Sequence, residues 1–323
     1  MGRVAALFTA GSAHFMTSPR EAAKARAGRR AAGLLSVAAL AVAAPALAGS
    51  ASDLFYERTL MSAAGARCRL FEPALGAALD AARIQARGAA LRAGASNDHL
   101  LTVEQRARGR AAATACNSPD LKVAAGRVRS AFEGYARLSR ITWRGDVSAW
   151  QGDRTITMRG PMWRLSQPSA FGADRMIFGL AGEQAPGTLS ASVSFADGRT
   201  PYTARLVVRD VTRTNGPYLD RRRKDGSGRM PLTARTPPAS ATRAFAAESR
   251  SEAAERLRPA GTRSALLYRF PARAADALAG LDPREAVAVE FVFQGPRGDE
   301  VRRAYVEVGD FAAGRAFLAV PLR

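Results

Sequence analysis

From residue 52 to residue 139 the apolar positions recur every three or four residues, the spacing that gathers them on one side of a helix. Ser52 or Asp53 can cap a first helix running to Ala66, with Leu54, Phe55 and Met61 on one side. A second spans 73–92, with Leu75 and Leu79 one turn apart and Leu91 near its end. Residues 94–101 read as a loop. Thr102, Val103, Glu104 and Gln105 then have the form of a capping box, opening a third helix that reaches Cys116. Ser118, Pro119 and Asp120 mark a fourth start, with a capping hydroxyl, a proline at the first helical position and an acid in the first turn. Val123, Val128, Phe132 and Tyr135 form its apolar face through Leu138. Four helices with short connections predict an antiparallel bundle. Gly76, Gly88, Gly109, Gly126 and Gly134 each cost about 1 kcal/mol of helix propensity, so either they permit close contacts or the isolated helices are weak.

Near Arg140 the texture changes. Trp143, Trp150 and Trp163 fall close together, and β-forming runs replace alanine-rich ones. Candidate strands are 141–144, 155–158, 162–166, 175–180, 189–195 and 202–211, the last two joined through Asp197 and Gly198 as a hairpin. Val287, Val289, Phe291 and Phe293 alternate with Ala288, Glu290 and Val292, and residues 295–300 can turn that strand into 301–308. Residues 316–320 would end the sheet. Helical insertions are expected after a capping box at Ser249 to Glu252 and over 272–279. Residues 219–242 are polar, basic and rich in Gly and Pro, the composition of a long mobile loop. The expected architecture is α+β. A disulfide-tied helical bundle over 49–139 is followed by an antiparallel β-sandwich with helical insertions over 140–323.

The amino-terminal stretch has another pattern. Arg20, Lys24, Arg26, Arg29 and Arg30 precede the 14 apolar residues 31–44, Pro45, and the small-x-small sequence Ala46-Leu47-Ala48. This is the grammar of a secretory signal, and the run falls short of the roughly 20 residues a spanning helix needs. Residues 1–48 are therefore expected to be a signal peptide cleaved between Ala48 and Gly49, giving a periplasmic or secreted protein. Gly49 offers no thiol for a lipid anchor, and no later run is long enough to span a membrane.

Charge sharpens this picture only in part. The chain carries a formal +20, of which residues 1–48 hold a net +5. All but three of the basic residues are arginine, in a chain crowded with Ala and Gly, which is the bias of a GC-rich gene as much as a mark of anionic partners. No nucleic-acid recognition motif accompanies the charge. Cys68 and Cys116 are the only cysteines, an even count that predicts one disulfide in an oxidising compartment.

Candidate chemistry is sparse. His99 is the sole histidine beyond residue 48 and lies in a polar loop, so triads and metal sites lack partners. No phosphate-cradling glycine motif occurs, and no cofactor is expected. Asp146, Asp153, Asp174, Glu183, Asp197 and Asp210 could supply a glycosidase pair, but their spacing singles out none. The tripeptides 144–146 and 297–299 spell Arg-Gly-Asp and suit turns. The three tryptophans suit either a core or a sugar-stacking platform, with core the commoner use. The densest charge cluster, Arg221, Arg222, Arg223 and Lys224, followed by Asp225, Gly226, Ser227, Gly228 and Arg229, is the candidate ligand site. The reading is a non-catalytic envelope protein that binds or scaffolds an anionic lipid, a polysaccharide or another envelope protein. The alternative is an envelope hydrolase using carboxylates the sequence does not identify.

Overall fold

The computed structural model describes residues 45–322, with side chains from residue 51. The charged stretch and apolar run assigned to an export signal lie outside the described residues. Helix α1 runs Pro45–Cys68, α2 Pro73–Arg92, α3 Asn97–Ala113 and α4 Pro119–Arg137. Among the described residues no helix is long and apolar enough to cross a membrane.

Alanine lets these helices approach closely. Ala78, Ala82, Ala86 and Ala90 form a buried stripe along α2 beside Leu75 and Leu79. Gly88 serves contact, since a Cβ there would stand 3.2 Å from Asp310 Oδ1. Gly76, Gly109, Gly126 and Gly134 have no neighbour within 4 Å of such a Cβ, so close packing does not explain them. Helix α3 begins five residues before the expected capping box. Ser96 is its N-cap, accepting from His99 N at 3.1 Å, while Thr102 Oγ1 bonds back to Asp98 O inside the helix. It ends at Ala113, short of Cys116. On α4 the buried residues are Leu121, Ala125, Val128, Phe132 and Ala136, and Val123 points outward. The Cys68–Cys116 disulfide, with Cα atoms 5.5 Å apart, joins the last residue of α1 to the segment beyond α3.

Among the described residues eleven strands form two antiparallel sheets. The larger contains β1 (Arg140–Arg144), β2 (Ala149–Asp153), β3 (Met162–Phe171), β4 (Asp174–Gly182), β5 (Thr188–Ser194), β8 (Ser249–Glu252) and β9 (Leu266–Arg269), ordered β1-β2-β3-β4-β5-β9-β8. The smaller contains β6 (Thr203–Arg209), β7 (Thr242–Ala246), β10 (Ala286–Gly295) and β11 (Gly298–Glu307), ordered β11-β10-β6-β7. One apolar core draws Leu165 and Phe178 from the larger sheet and Leu206, Phe291 and Val306 from the smaller. Helices α5 (Ala272–Ala279) and α6 (Phe311–Leu318) add Leu278, Phe311 and Phe317 to it.

Several sequence expectations give way to tertiary contacts. Asp197 and Gly198 make a turn, with Gly198 N bonded to Phe195 O at 3.1 Å, but β5 and β6 belong to different sheets. Phe195 enters the shared core, and Tyr202 N pairs with Val292 O at 2.9 Å, so the turn is a crossover. Residues 155–158 form no strand, because Asp153 Oδ1 captures both the N–H and the hydroxyl of Thr155. Ile156 and Met158 stand 87% and 95% exposed there. The capping-box sequence at 249–252 is strand β8, paired with β9 from Ser249↔Arg269 to Glu252↔Leu266. Residues 316–318 are the end of α6, whose Phe311, Gly314, Phe317 and Leu318 face inward at helical spacing, and 319–320 turn away from it. The 219–242 stretch holds two 3-10 turns and buries Ala234, Arg235 and Ala241, so it is anchored rather than free along its length.

Two details fix how the layers meet. Arg154 donates to Tyr135 O, Ala136 O and Leu138 O at the end of α4 and to Val320 O beyond α6, placing one cation at two helix C-termini. Between β7 and β8 only two residues span the sheets. Ala247 N bonds to Ala204 O in the smaller sheet and Glu248 N to Arg269 O in the larger, each at 2.8 Å.

The disulfide closes a chain segment with a sequence separation of 48. In the chain-entropy model a loop of that size stabilises the fold by about 4 kcal/mol. Replacing both Cys68 and Cys116 with Ser is expected to lower the unfolding free energy by that order in urea titrations. Unchanged stability would mean that the open chain is already restrained.

Candidate functional site

The site is built around Glu307, at the end of β11 and without exposed surface. Its carboxylate accepts the backbone N–H of Asp146, Val147 and Ser148 at 2.8, 2.9 and 3.0 Å, so the β1–β2 turn wraps around it. Gly145 is required by that wrap, since a Cβ there would stand 2.6 Å from Glu307 Oε2. The first Arg-Gly-Asp tripeptide is this turn, and the second is the β10–β11 turn. Gln167 bonds both the N–H and the carbonyl of Glu307, and Trp150 Nε1 also donates to that carbonyl. Arg235, 4% exposed, lies 3.5 Å from the Glu307 carboxylate and 2.9 Å from that of Asp146. It also donates twice to Met230 O, which ties the 219–242 stretch to the β1–β2 turn.

Against this wall opens a cavity of about 380 Å³ whose cationic lining is Arg92, Arg221, Lys224, Arg229, Arg235 and Arg284. Arg92 is bonded to Asp310 at 2.7 Å and Arg284 to Asp282 at 2.7 Å. The Arg229 side chain donates to Asp146 O and Ser227 Oγ, while its backbone N–H donates to Asp225 Oδ1 and its charge acts on that carboxylate. The side chains of Arg221 and Lys224 form no hydrogen bond or ion pair with the described residues. These six cations meet the carboxylates of Asp146, Asp282, Asp310 and Glu307, and Asp225 and Glu285 act on Arg229 and Arg284. Cations gathered in a concave surface focus positive potential, because low-dielectric walls limit screening.

Burial raises the pKa of Asp310, with Arg92 opposing it. Burial also pushes on Asp282, but the hydrogen bonds and charge of Arg284 override it and hold the carboxyl low. Behind the cavity Glu285 is pushed up to about 7 by burial, against the 2.7 Å bond from Arg209, with Asp282 reinforcing the rise. Its Oε2 has no hydrogen-bond partner.

The four consecutive basic residues therefore divide. Arg221 and Lys224 face the cavity, whereas Arg223 reaches Thr233 Oγ1 at 3.3 Å and neither it nor Arg222 lines the cavity. Arg92, Arg235 and Arg284 escaped the sequence reading, because they come from distant segments and nothing local marks them. The candidate carboxylates lie elsewhere or are committed. Asp146 pairs with Arg235, Asp153 with Arg140, Asp174 and Asp197 with Arg302, and Asp210 with Arg213. Glu183 is exposed beside a different cavity. His99 is exposed in the first turn of α3. Trp143 and Trp150 are core residues, and Trp163 is partly buried with Nε1 bonded to Leu257 O. Among the described residues no three His, Cys, Asp or Glu side chains gather as a metal site.

Removing the Glu307 carboxylate would strand three N–H groups and Arg235. Glu307→Ala is expected to cost about 3–5 kcal/mol, the range for breaking a buried charged network, and Glu307→Gln less. A cost under 1 kcal/mol in urea titrations would show that solvent or another group replaces it. Glu285 gives a pH signature. Its folded pKa lies above the unfolded value, so the folded state holds the proton more tightly, and stability falls as pH rises from about 4.5 to about 7. Glu285→Gln should flatten that part of the stability profile, and an unchanged profile would assign the dependence to other carboxylates.

No known family matches the chain, and no curated protein and no solved structure is similar to it.

Proposed function

We propose that this is a non-catalytic binding protein of the bacterial cell envelope, working outside the cytoplasm and holding an anionic component in the arginine-lined cavity. The observation that carries the reading is the pair Arg221 and Lys224, which line the cavity and form no ion pair with the described residues while the surrounding arginines are held in place. Held arginines present fixed forks to a phosphate or carboxylate, and the two uncommitted cations supply the attraction. An intact disulfide suits an oxidising compartment, in line with a signal peptide over residues 1–48. In this reading residues 49–139 are a helical bundle and residues 140–323 a β-sandwich whose 219–242 loop closes one side of the cavity. The alternative, an envelope hydrolase, needs two carboxylates facing across a cleft. Five of the six candidates are engaged in ion pairs, so it draws no support from them.

The cavity reading separates two variants with the same change in charge. Titration calorimetry at low salt with inorganic pyrophosphate compares Arg221→Ser/Lys224→Ser with Arg222→Ser/Arg223→Ser. The first is expected to weaken binding about tenfold or more, the second less than about threefold, with affinity falling as salt rises. Equal losses would reduce the cluster to a general electrostatic effect, and no binding by the parent protein would remove the proposal.

A further inference from the structure

A second cavity, of about 260 Å³, adjoins the first, and Arg92 lines both. On the other side, Arg144 lines the second cavity and Asp146 the first, two residues apart on the turn that grips Glu307. Two residues span at most about 7 Å of chain, so the chambers meet along the Arg92–Asp310 pair and this turn. That pair is bonded through both guanidinium nitrogens, at 2.7 and 3.2 Å, which makes the divide charge-balanced.

The linings differ in kind. The first chamber is dominated by cations. The second is lined by Gln85, Thr142 and Arg144, whose side chains form no hydrogen bonds with the described residues, together with the partly exposed Leu54 and the buried Ala86 and Trp143. Arg58 forms part of its floor, bonded to Ala82 O at 2.6 Å, and burial lowers its pKa only to about 10, leaving it charged at neutral pH. An uncommitted amide and hydroxyl beside the partly exposed Leu54 match a sugar ring, which presents hydroxyls at its edge and C–H bonds on its faces. Arg144 adds a cation without a carboxylate partner, so each chamber can meet an acidic group.

Resting on the proposed function, we infer that the ligand is an acidic oligosaccharide that runs through both chambers, with successive acidic groups meeting Arg221 and Lys224 in one and Arg144 in the other. An anionic lipid would need apolar surface for its chains beside the charged chamber. Beside the charged chamber that surface is small, namely Leu219 and Met230 in its lining and the exposed Val147 on the turn, while Ile156, Met158 and Leu322 line a third cavity. A polymer recognised by charge alone would leave Gln85 and Thr142 without a role.

The test uses the full chain and the charge-neutral variant Gln85→Ala/Thr142→Val, after circular dichroism and thermal unfolding establish that the variant is folded. The probes are oligogalacturonates of two, four and six rings, inorganic polyphosphate, inorganic pyrophosphate, and vesicles of neutral lipid with or without an anionic lipid. Affinity is expected to rise at least tenfold from two to four rings. The variant should lose about tenfold for four rings while binding pyrophosphate unchanged. Equal affinity for two and six rings would overturn the two-chamber ligand, as would a variant that binds four rings as the parent does. Polyphosphate or anionic vesicles binding more tightly than the oligosaccharide in both proteins would assign the cleft to charge alone or to a lipid surface. Pyrophosphate binding without the length dependence would sink this inference and leave the proposed function standing. Loss of pyrophosphate binding in the parent protein would remove both.

Discussion

A carboxylate with no exposed surface must find donors or give up its charge, and Glu307 finds three backbone N–H groups and a guanidinium. Those donors come from the β1–β2 turn and the 219–242 stretch, while Glu307 itself stands on the smaller sheet. Gln167 and Trp150, both from the larger sheet, bind its backbone. One residue therefore fixes the register of the two sheets, the shape of a turn and the position of Arg235. The cavity wall is a consequence of that geometry. Asp146 and Arg235 face each other because Glu307 has already drawn both segments inward.

The strands that read most clearly from sequence were those with their apolar residues in strict alternation, β10 above all. Even there the structure adds something, since Glu290 on the expected outer face is buried between Arg205 and Arg303. Helices α2 and α4 and the Cys68–Cys116 bond were equally legible, because their signals are local or follow from a count of two. Where local chemistry offers two outcomes, distant partners chose. Ser249 to Glu252 can cap a helix or pair with β9, and the free edge of β9 decided it. Asp197 and Gly198 turn the chain as expected, but no sequence signal says whether the next strand joins the same sheet. The start of α3 was misplaced because Ser96 and Thr102 both look like caps, and only the folded helix shows which one has a free N–H to serve.

The candidate site was legible only where charge is consecutive. Arg221 and Lys224 stood out by position, whereas Arg92 and Arg284 are single arginines in an arginine-rich chain. Composition hides such residues for a physical reason, since this protein uses guanidinium groups for several ends at once. Arg154 and Arg164 serve backbone carbonyls, Arg302 and Arg303 serve carboxylates at the sheet surface, and a smaller set faces empty space. The first two roles draw on a planar fork of donors, which lysine does not supply, whereas the cavity also accepts Lys224. Gene composition and structural use thus point to the same residue, and a count of arginines cannot separate them.

The two-residue link between β7 and β8 has a mechanical meaning. Ala247 and Glu248 are neighbours in the chain, yet each is pinned to a different sheet. A connection that short has no slack, so the layers cannot slide or open like a book without breaking one of the two bonds. Any rearrangement around the cavity therefore falls to the surface segments that frame it. The exposed run from Arg221 to Arg229 is one of these, hung between the bond from Asp220 N to Ala234 O and the buried Arg235. The fold thus divides by stiffness into two layers locked to each other and a surface strip outside that lock.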